Sequence, residues 1–262
     1  MNSGVIKTGD GCAIFWRMEG PEHAPVLLMS NSLGTALAMW DGQIEALSQT
    51  YRVLRYDKRG HGKSDVPLGG YSLDRLGRDV LELADALGVA RFDFCGLSLG
   101  GMTGQWLGVR APERIDRLVL CNTSAYMGPP EGWDVRIRTV LSGGMEVMVQ
   151  PVLERWFTPE FRETSPAAIA PVHDMLLATN PAGYAGACAA IRDMDLRPIG
   201  KLIKAPTLII AGERDPATPP EHSEAMAAAI SGSRLVRLDA ALLSNIEQPE
   251  LFLAAVQDFL KR

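Results

Sequence analysis

Short apolar runs alternate with helical patterns through the first half of the chain. Runs at 26–31, 52–57, 92–96 and 117–121 read as buried strands. Between the second and third lies a helix capped by Ser72. Its apolar face is Leu73, Leu76, Val80, Leu83 and Leu87, close to a 3.6-residue period, and Gly88 ends it. The alternation resumes with strands at 206–212 and 234–238. A last helix over about 249–261 is expected to turn Leu251, Phe252, Ala255, Val256, Phe259 and Leu260 toward the sheet. Strands alternating with helices in this way imply an α/β fold, a mostly parallel sheet covered by helices on both faces.

Residues 126–198 break the alternation. They are helical in pattern, rich in Met and Trp, and punctuated by Pro129-Pro130, Gly143-Gly144, Pro151, Pro159, Pro166, Pro171 and Pro181. An insertion at the strand ends where ligands bind reads as a lid. The expected division is a core of residues 1–125 and 199–262 with a helical lid of residues 126–198.

Bulk properties narrow the field. A chain of 262 residues buries a substantial core, and a net charge of −5 argues against a nucleic-acid partner. No apolar run approaches the roughly 20 residues of a membrane span, and the first residues lack a signal-peptide pattern. Cys12, Cys95, Cys121 and Cys188 have no metal-ligand spacing. A reduced, cytoplasmic protein is expected.

The most informative stretch is Gly96-Leu97-Ser98-Leu99-Gly100-Gly101, which follows the apolar run 92–95 and precedes a helical pattern. That is the strand–turn–helix setting of a G-x-S-x-G nucleophile elbow, which exposes the serine hydroxyl at the end of a sheet. In this chain order the triad acid comes next. Asp215, in Gly212-Glu213-Arg214-Asp215-Pro216, directly follows a predicted strand and so faces the same rim as Ser98; the plainer alternative is a cap for the helix starting near Pro219. An oxyanion hole needs two backbone N–H groups. Leu99, just after the nucleophile, and Leu33, in the loop 31–35, are the candidates.

These motifs resemble the α/β-hydrolase family over essentially the whole chain and, more narrowly, the 3-oxoadipate enol-lactonases. The resemblance is carried by Ser30-Asn31-Ser32-Leu33-Gly34-Thr35, by 55–64 with its Arg59-Gly60-His61-Gly62, by Phe94-Cys95-Gly96-Leu97-Ser98, by Arg155-Trp156-Phe157-Thr158 and by Ser244-Asn245-Ile246-Glu247. It implies the α/β-hydrolase fold with an eight-stranded sheet, no cofactor, and a small lactone carrying a carboxylate as substrate. It also implies that the catalytic histidine precedes Ser244-Asn245 by two positions. That position is Leu242, and no histidine follows His222. His61 and His173 are weak substitutes; His222 is expected on a solvated face and His23 in an exposed loop.

A carboxylate-bearing substrate calls for local positive charge. The segment 126–195 carries Arg136, Arg138, Arg155, Arg162 and Arg192 and no lysine. Arginine suits bidentate carboxylate recognition. Arg136, three residues after Trp133, shares a helical face with it, so the pair is taken as carboxylate clamp and apolar wall. The bland alternative pairs these arginines with Glu131, Asp134 or Glu154. Trp156 is expected to be packed core. Leu242 fits a deliberate substitution, a lineage that kept binding after losing hydrolysis, or chemistry rebuilt around another residue. The rivals to a lactonase are a catalytically silent binding or sensing protein and another ester or carbon–carbon hydrolase.

Overall fold

The computed structural model describes residues 2–261. Eight strands form one sheet: β1 (Asn2–Lys7), β2 (Ala13–Glu19), β3 (Val26–Ser30), β4 (Arg52–Tyr56), β5 (Phe92–Leu97), β6 (Ile115–Cys121), β7 (Thr207–Gly212) and β8 (Arg234–Leu238). Their order is β1-β2-β4-β3-β5-β6-β7-β8. β1 pairs antiparallel with β2, and β2 with β4; every pairing from β4 to β8 is parallel.

The six strands read from the apolar runs are present, within two residues at their ends. β1 and β2 lie outside those runs. β2 alternates half-buried and buried positions, with Ile14, Trp16 and Met18 turned inward. β1 is an edge strand with mostly exposed residues, so it carries little apolar signal.

The helices are α1 (Asp41–Leu47), α2 (Leu73–Ala86), α3 (Leu99–Arg110), α4 (Pro130–Gly143), α5 (Glu146–Trp156), α6 (Pro159–Thr164), α7 (Pro166–Ala178), α8 (Pro181–Asp193), α9 (Pro220–Ala229), α10 (Ser244–Glu247) and α11 (Pro249–Leu260). On α2 the expected cap is present: Ser72 Oγ accepts from the Arg75 N–H at 3.1 Å, which satisfies one of the free first-turn donors. Leu73, Leu76, Val80 and Leu83 are buried beneath it, each contributing about 1.5–3 kcal/mol of apolar burial. On α11, Phe252, Val256 and Leu260 are fully buried, but Leu251 is 56% exposed. It sits just outside the arc that 252, 255, 256, 259 and 260 share at 100° per residue, so the expected inward orientation is corrected.

Two features position the site. After β3 the chain moves to β4 on one side and then returns to β5 on the other, so the loops leaving β3 and β5 diverge. Such a switch point opens a crevice at the carboxyl ends of the strands. Helices α4–α8 lie between β6 and β7, and the two ends of that segment meet. Tyr126 and Asp195 form an isolated antiparallel bridge, and the Leu196 N–H donates to the Ala125 carbonyl at 2.8 Å.

Candidate active site

β5 ends at Leu97 and α3 begins at Leu99, leaving Ser98 alone in the turn with φ 54° and ψ −114°. A non-glycine residue held there costs about 1–3 kcal/mol, and the surroundings must enforce it. They do so through close backbone approach. A Cβ on Gly96 would lie 2.2 Å from the Gly100 carbonyl oxygen, and one on Gly100 would lie 2.0 Å from the Ser30 carbonyl oxygen. The Ser98 N–H donates to Cys121 O at 2.9 Å, and its carbonyl accepts from the Met102 N–H and from Thr123 Oγ1 at 2.7 Å. The hydroxyl lines a cavity of about 60 Å³ and bonds to no described side chain.

Leu99 opens α3, so its N–H belongs to the first helical turn, which has no carbonyl within the helix to meet it. Leu33 lines the cavity from the loop after β3. The next two N–H groups of that loop are already engaged: Gly34 donates to His61 Nε2 at 2.9 Å and Thr35 to the Ser32 carbonyl. Beneath the loop, Lys58 Nζ donates to the Asn31 carbonyl at 2.6 Å and the Ser32 carbonyl at 3.0 Å. Burial pulls the Lys58 ammonium down to about 7, opposed by the charge of Asp57. Burial and the Lys58 charge push His61 down to about 3, so its ring is neutral. Its Nδ1 faces the Arg59 carbonyl at 3.1 Å, which assigns the proton to Nδ1 and leaves Nε2 as the acceptor for Gly34. His61 therefore has no free lone pair for Ser98. Sequence reading missed this scaffold, because the two segments stand about 27 residues apart.

Asp215 follows β7 and is 2% exposed. Its Oδ1 accepts from the N–H groups of Ala217 and Thr218, and its Oδ2 from Thr218 Oγ1 at 2.6 Å and Asn122 Nδ2 at 3.2 Å. Burial raises the carboxyl's pKa, and these donors hold it back. Asn122 itself is fixed by Ser244 Oγ at 2.6 Å and the Ala241 carbonyl at 3.1 Å. Asp215 gives α9 no side-chain cap; that helix starts from Pro219.

Leu242 is buried in the loop after β8 and lines the same cavity as Ser98, Leu33, Trp133 and Arg136. Its neighbour Leu243 donates to the Trp156 carbonyl at 3.2 Å, which ties the loop to α5. Trp156 is packed, as expected, and also forms part of the cavity wall. Among the described residues that line this cavity there is no histidine. His173 is on the surface against Asp174, and His23 is exposed. His222 departs from its expected place on a solvated face. It is half-buried in a vestibule of about 320 Å³ that shares Trp133, Arg136 and Arg155 with the cavity.

The Arg136 guanidinium lies 5.5 Å from the Trp133 ring and 5.8 Å from the Tyr184 ring. The carboxylates that were its plainer partners are engaged elsewhere or apart from it: Asp134 pairs with Arg192 at 2.8 Å and Glu154 accepts from Gln150. Among the described residues no ion pair forms to Arg136 or to Arg155. Burial and the repulsion of Arg136 lower the pKa of Arg155. Among the described residues no three His, Cys, Asp or Glu side chains gather as metal ligands, and no helix is long and apolar enough to cross a membrane.

Residues 25–165 match the profile of the family described as alpha/beta hydrolase fold, and residues 178–242 that of a TAP-like protein. The chain is 40% identical over 255 residues to 3-oxoadipate enol-lactonase 2 of Acinetobacter baylyi, covering 97% of this chain and 96% of that protein. Its structure is similar to that of a hydrolase from Pseudomonas aeruginosa, with a TM-score of 0.97 and 50% identity over 100% of this chain and 99% of the other. It is also similar to the enol-lactonase from Burkholderia xenovorans, with a TM-score of 0.97 and 44% identity over 99% and 100% of the two chains.

Proposed function

The chain belongs to the α/β-hydrolase family, whose enol-lactonase members make it an ester or lactone hydrolase by descent, and on that premise we propose that its cavity is a site for a small lactone bearing a carboxylate. The observation that carries this reading is one cavity wall holding both the Ser98 hydroxyl and the Arg136 guanidinium, which has no carboxylate partner among the described residues.

In the full reaction, Ser98 Oγ attacks the lactone carbonyl and loses its proton to a base. The N–H groups of Leu33 and Leu99 hold the oxyanion, the ring C–O bond breaks, and the enolate leaves. Water then hydrolyses the acyl-enzyme. Asp215 would orient the base; Trp133 and Arg136 would hold the apolar and anionic ends of the substrate. Helices of the segment 126–198 would serve as a lid over a core of 1–125 and 199–262. The substrate of this reading is 3-oxoadipate enol-lactone, opened to 3-oxoadipate in the β-ketoadipate degradation of aromatic compounds.

Position 242 is the missing part. Leucine neither accepts the Ser98 proton nor returns it to the leaving group. Loss of the base from such a triad costs about 10⁶-fold in turnover, with about 10³–10⁴-fold over water surviving from the oxyanion hole and binding. A second reading follows from the same leucine: a silent binding protein that retains the pocket. Leu242→His, assayed on the enol-lactone, separates the two. A gain of several orders of magnitude supports the lactonase reading; an inactive but folded variant with Ser98 intact overturns it.

A further inference from the structure

Two of the segments singled out in the sequence, 155–158 and 244–247, take no part in the reaction as written, and the fold brings them together. Glu247, at the end of α10, is buried, and its carboxylate reaches the joint between α5 and α6. Its Oε1 accepts from the Thr158 N–H at 3.2 Å and from Thr158 Oγ1. Its Oε2 accepts from the Ala241 N–H at 2.9 Å. Thr158 Oγ1 itself accepts from the Phe161 N–H at 3.3 Å, which leaves its own proton for Glu247.

These bonds converge on one stretch of backbone. Ala241 is fixed on both sides, its N–H by Glu247 and its carbonyl by Asn122 Nδ2 at 3.1 Å. The Leu243 N–H donates to the Trp156 carbonyl at 3.2 Å, and the Leu243 carbonyl accepts from the Glu247 N–H at 3.0 Å. Leu242 lies between them. Among the described residues of 239–247 it alone lines the cavity that holds the Ser98 hydroxyl. Asn122 Nδ2 also reaches Asp215 Oδ2 at 3.2 Å, so one amide joins the acid to the peptide that leads into Leu242. A buried carboxylate costs more than an apolar side chain of similar size, which could tie α10 to α5 as well. What the carboxylate adds is direction. Its two oxygens hold donors from two separate segments at fixed angles, and planar peptides leave the held backbone few soft dihedrals. The Cα–Cβ bond of residue 242 follows from them.

We propose that Glu247 is a positioning residue: through Ala241 and Thr158 it sets the direction of the side chain at position 242 in the cavity wall. That position 242 is the place of the base rests on the lactonase reading above; the aiming does not. Glu247 acts through the backbone of 241–243. Its loss therefore slows the step that needs residue 242 and leaves the wall supplied by Leu33 in place.

Methyl NMR of the unmodified chain and of Glu247→Gln tests the aiming without any turnover. Glutamine keeps the size but sets an amide NH₂ where one oxygen accepted, so one end of the clamp is lost. The Leu242 methyls are expected to report one rotamer in the parent and averaging between rotamers in the variant, with the Leu33 methyls of the same cavity unchanged. In the Leu242→His background, Glu247→Gln is expected to lower kcat by about 10²-fold, the cost of a misplacement of about 1 Å, with KM within about twofold. Thr158→Val, which removes the hydroxyl from the clamp, is expected to give a smaller fall of the same kind, and Thr158→Ser to restore the parent behaviour. That pair decides the matter if Glu247→Gln does not fold. Leu242 methyls that average already in the parent, or that keep one rotamer in the variants, overturn the proposal, as does a Leu242→His enzyme whose kcat survives Glu247→Gln. An inactive Leu242→His overturns the lactonase reading, and the methyl spectra of the unmodified chain still decide for or against Glu247.

Discussion

Thr218 Oγ1 donates to Asp215 Oδ2 at 2.6 Å, and the same carboxylate takes three further hydrogen bonds, so it is fully engaged without an imidazole. The carboxylate is therefore held by four donors, while position 242, which lines the cavity with Ser98, is a leucine. On the proposed reading, placing an imidazole at position 242 should make Asp215 matter. In the Leu242→His background, Asp215→Asn is expected to lower kcat by about 10⁴-fold, the cost seen when a triad histidine loses its orienting acid. In the parent chain the same substitution should leave residual turnover within about threefold. Steady-state kinetics on the four proteins decides it, and a Leu242→His, Asp215→Asn double variant as active as Leu242→His rules out the orienting role for Asp215.

The guanidinium of Arg136 should act on binding more than on chemistry. Arg136→Ala in the Leu242→His background is expected to raise KM by about tenfold or more, the worth of a charge-assisted hydrogen bond, with kcat changed far less. An unchanged KM discards the clamp.

His61 gives the fold a predictable acid weakness. Its pKa falls from 6.5 to about 3 on folding, so the unfolded chain binds the proton more readily. The stabilisation from keeping the ring neutral is complete above pH 6.5 and is lost as pH falls toward 3. The slope is about 1.4 kcal/mol per pH unit within that window. Urea unfolding at pH 7 and pH 5 should show this loss. His61→Gln, whose amide can accept from Gly34 and donate to Arg59, should show a shallower one by about 2 kcal/mol over the interval. Parallel pH profiles for the two proteins would refute the assignment.

Lys58 should be structural in the same sense. Lys58→Met leaves the Asn31 and Ser32 carbonyls buried without their donor, at about 1–3 kcal/mol each. A drop in the urea midpoint equivalent to about 2–5 kcal/mol is expected, with the m-value unchanged. A midpoint within error of the parent's shows that water replaces the ammonium.

What the sequence made legible follows from how local each signal is. The parallel strands announce themselves because burial on both faces leaves continuous apolar runs such as Val26-Leu27-Leu28-Met29. The α2 start is written in one residue, Ser72. The elbow is readable because Gly96 and Gly100 must accommodate carbonyl oxygens about 2 Å from where a Cβ would stand. β1 was silent, since an exposed edge strand needs few apolar residues. Leu251 misled because one step along a helix separates a buried position from an exposed one. The support beneath the 31–35 loop was invisible, since nothing in Lys58 or His61 says which carbonyl or N–H each will meet. The same holds for His222, which a helical face left free to point outward and the vestibule draws in.

The loop holding Leu33 is pinned from below by a buried ammonium on two of its carbonyls and by a neutral imidazole on one of its N–H groups. Its conformational entropy was surrendered when the chain folded. A ligand arriving at Ser98 meets a wall already in its final shape, so little of its binding energy goes into ordering that side of the site. A leucine at position 242 does not loosen that wall. On either proposed reading, lactonase or silent binder, the Leu33 side of the cavity is stiff before a ligand arrives.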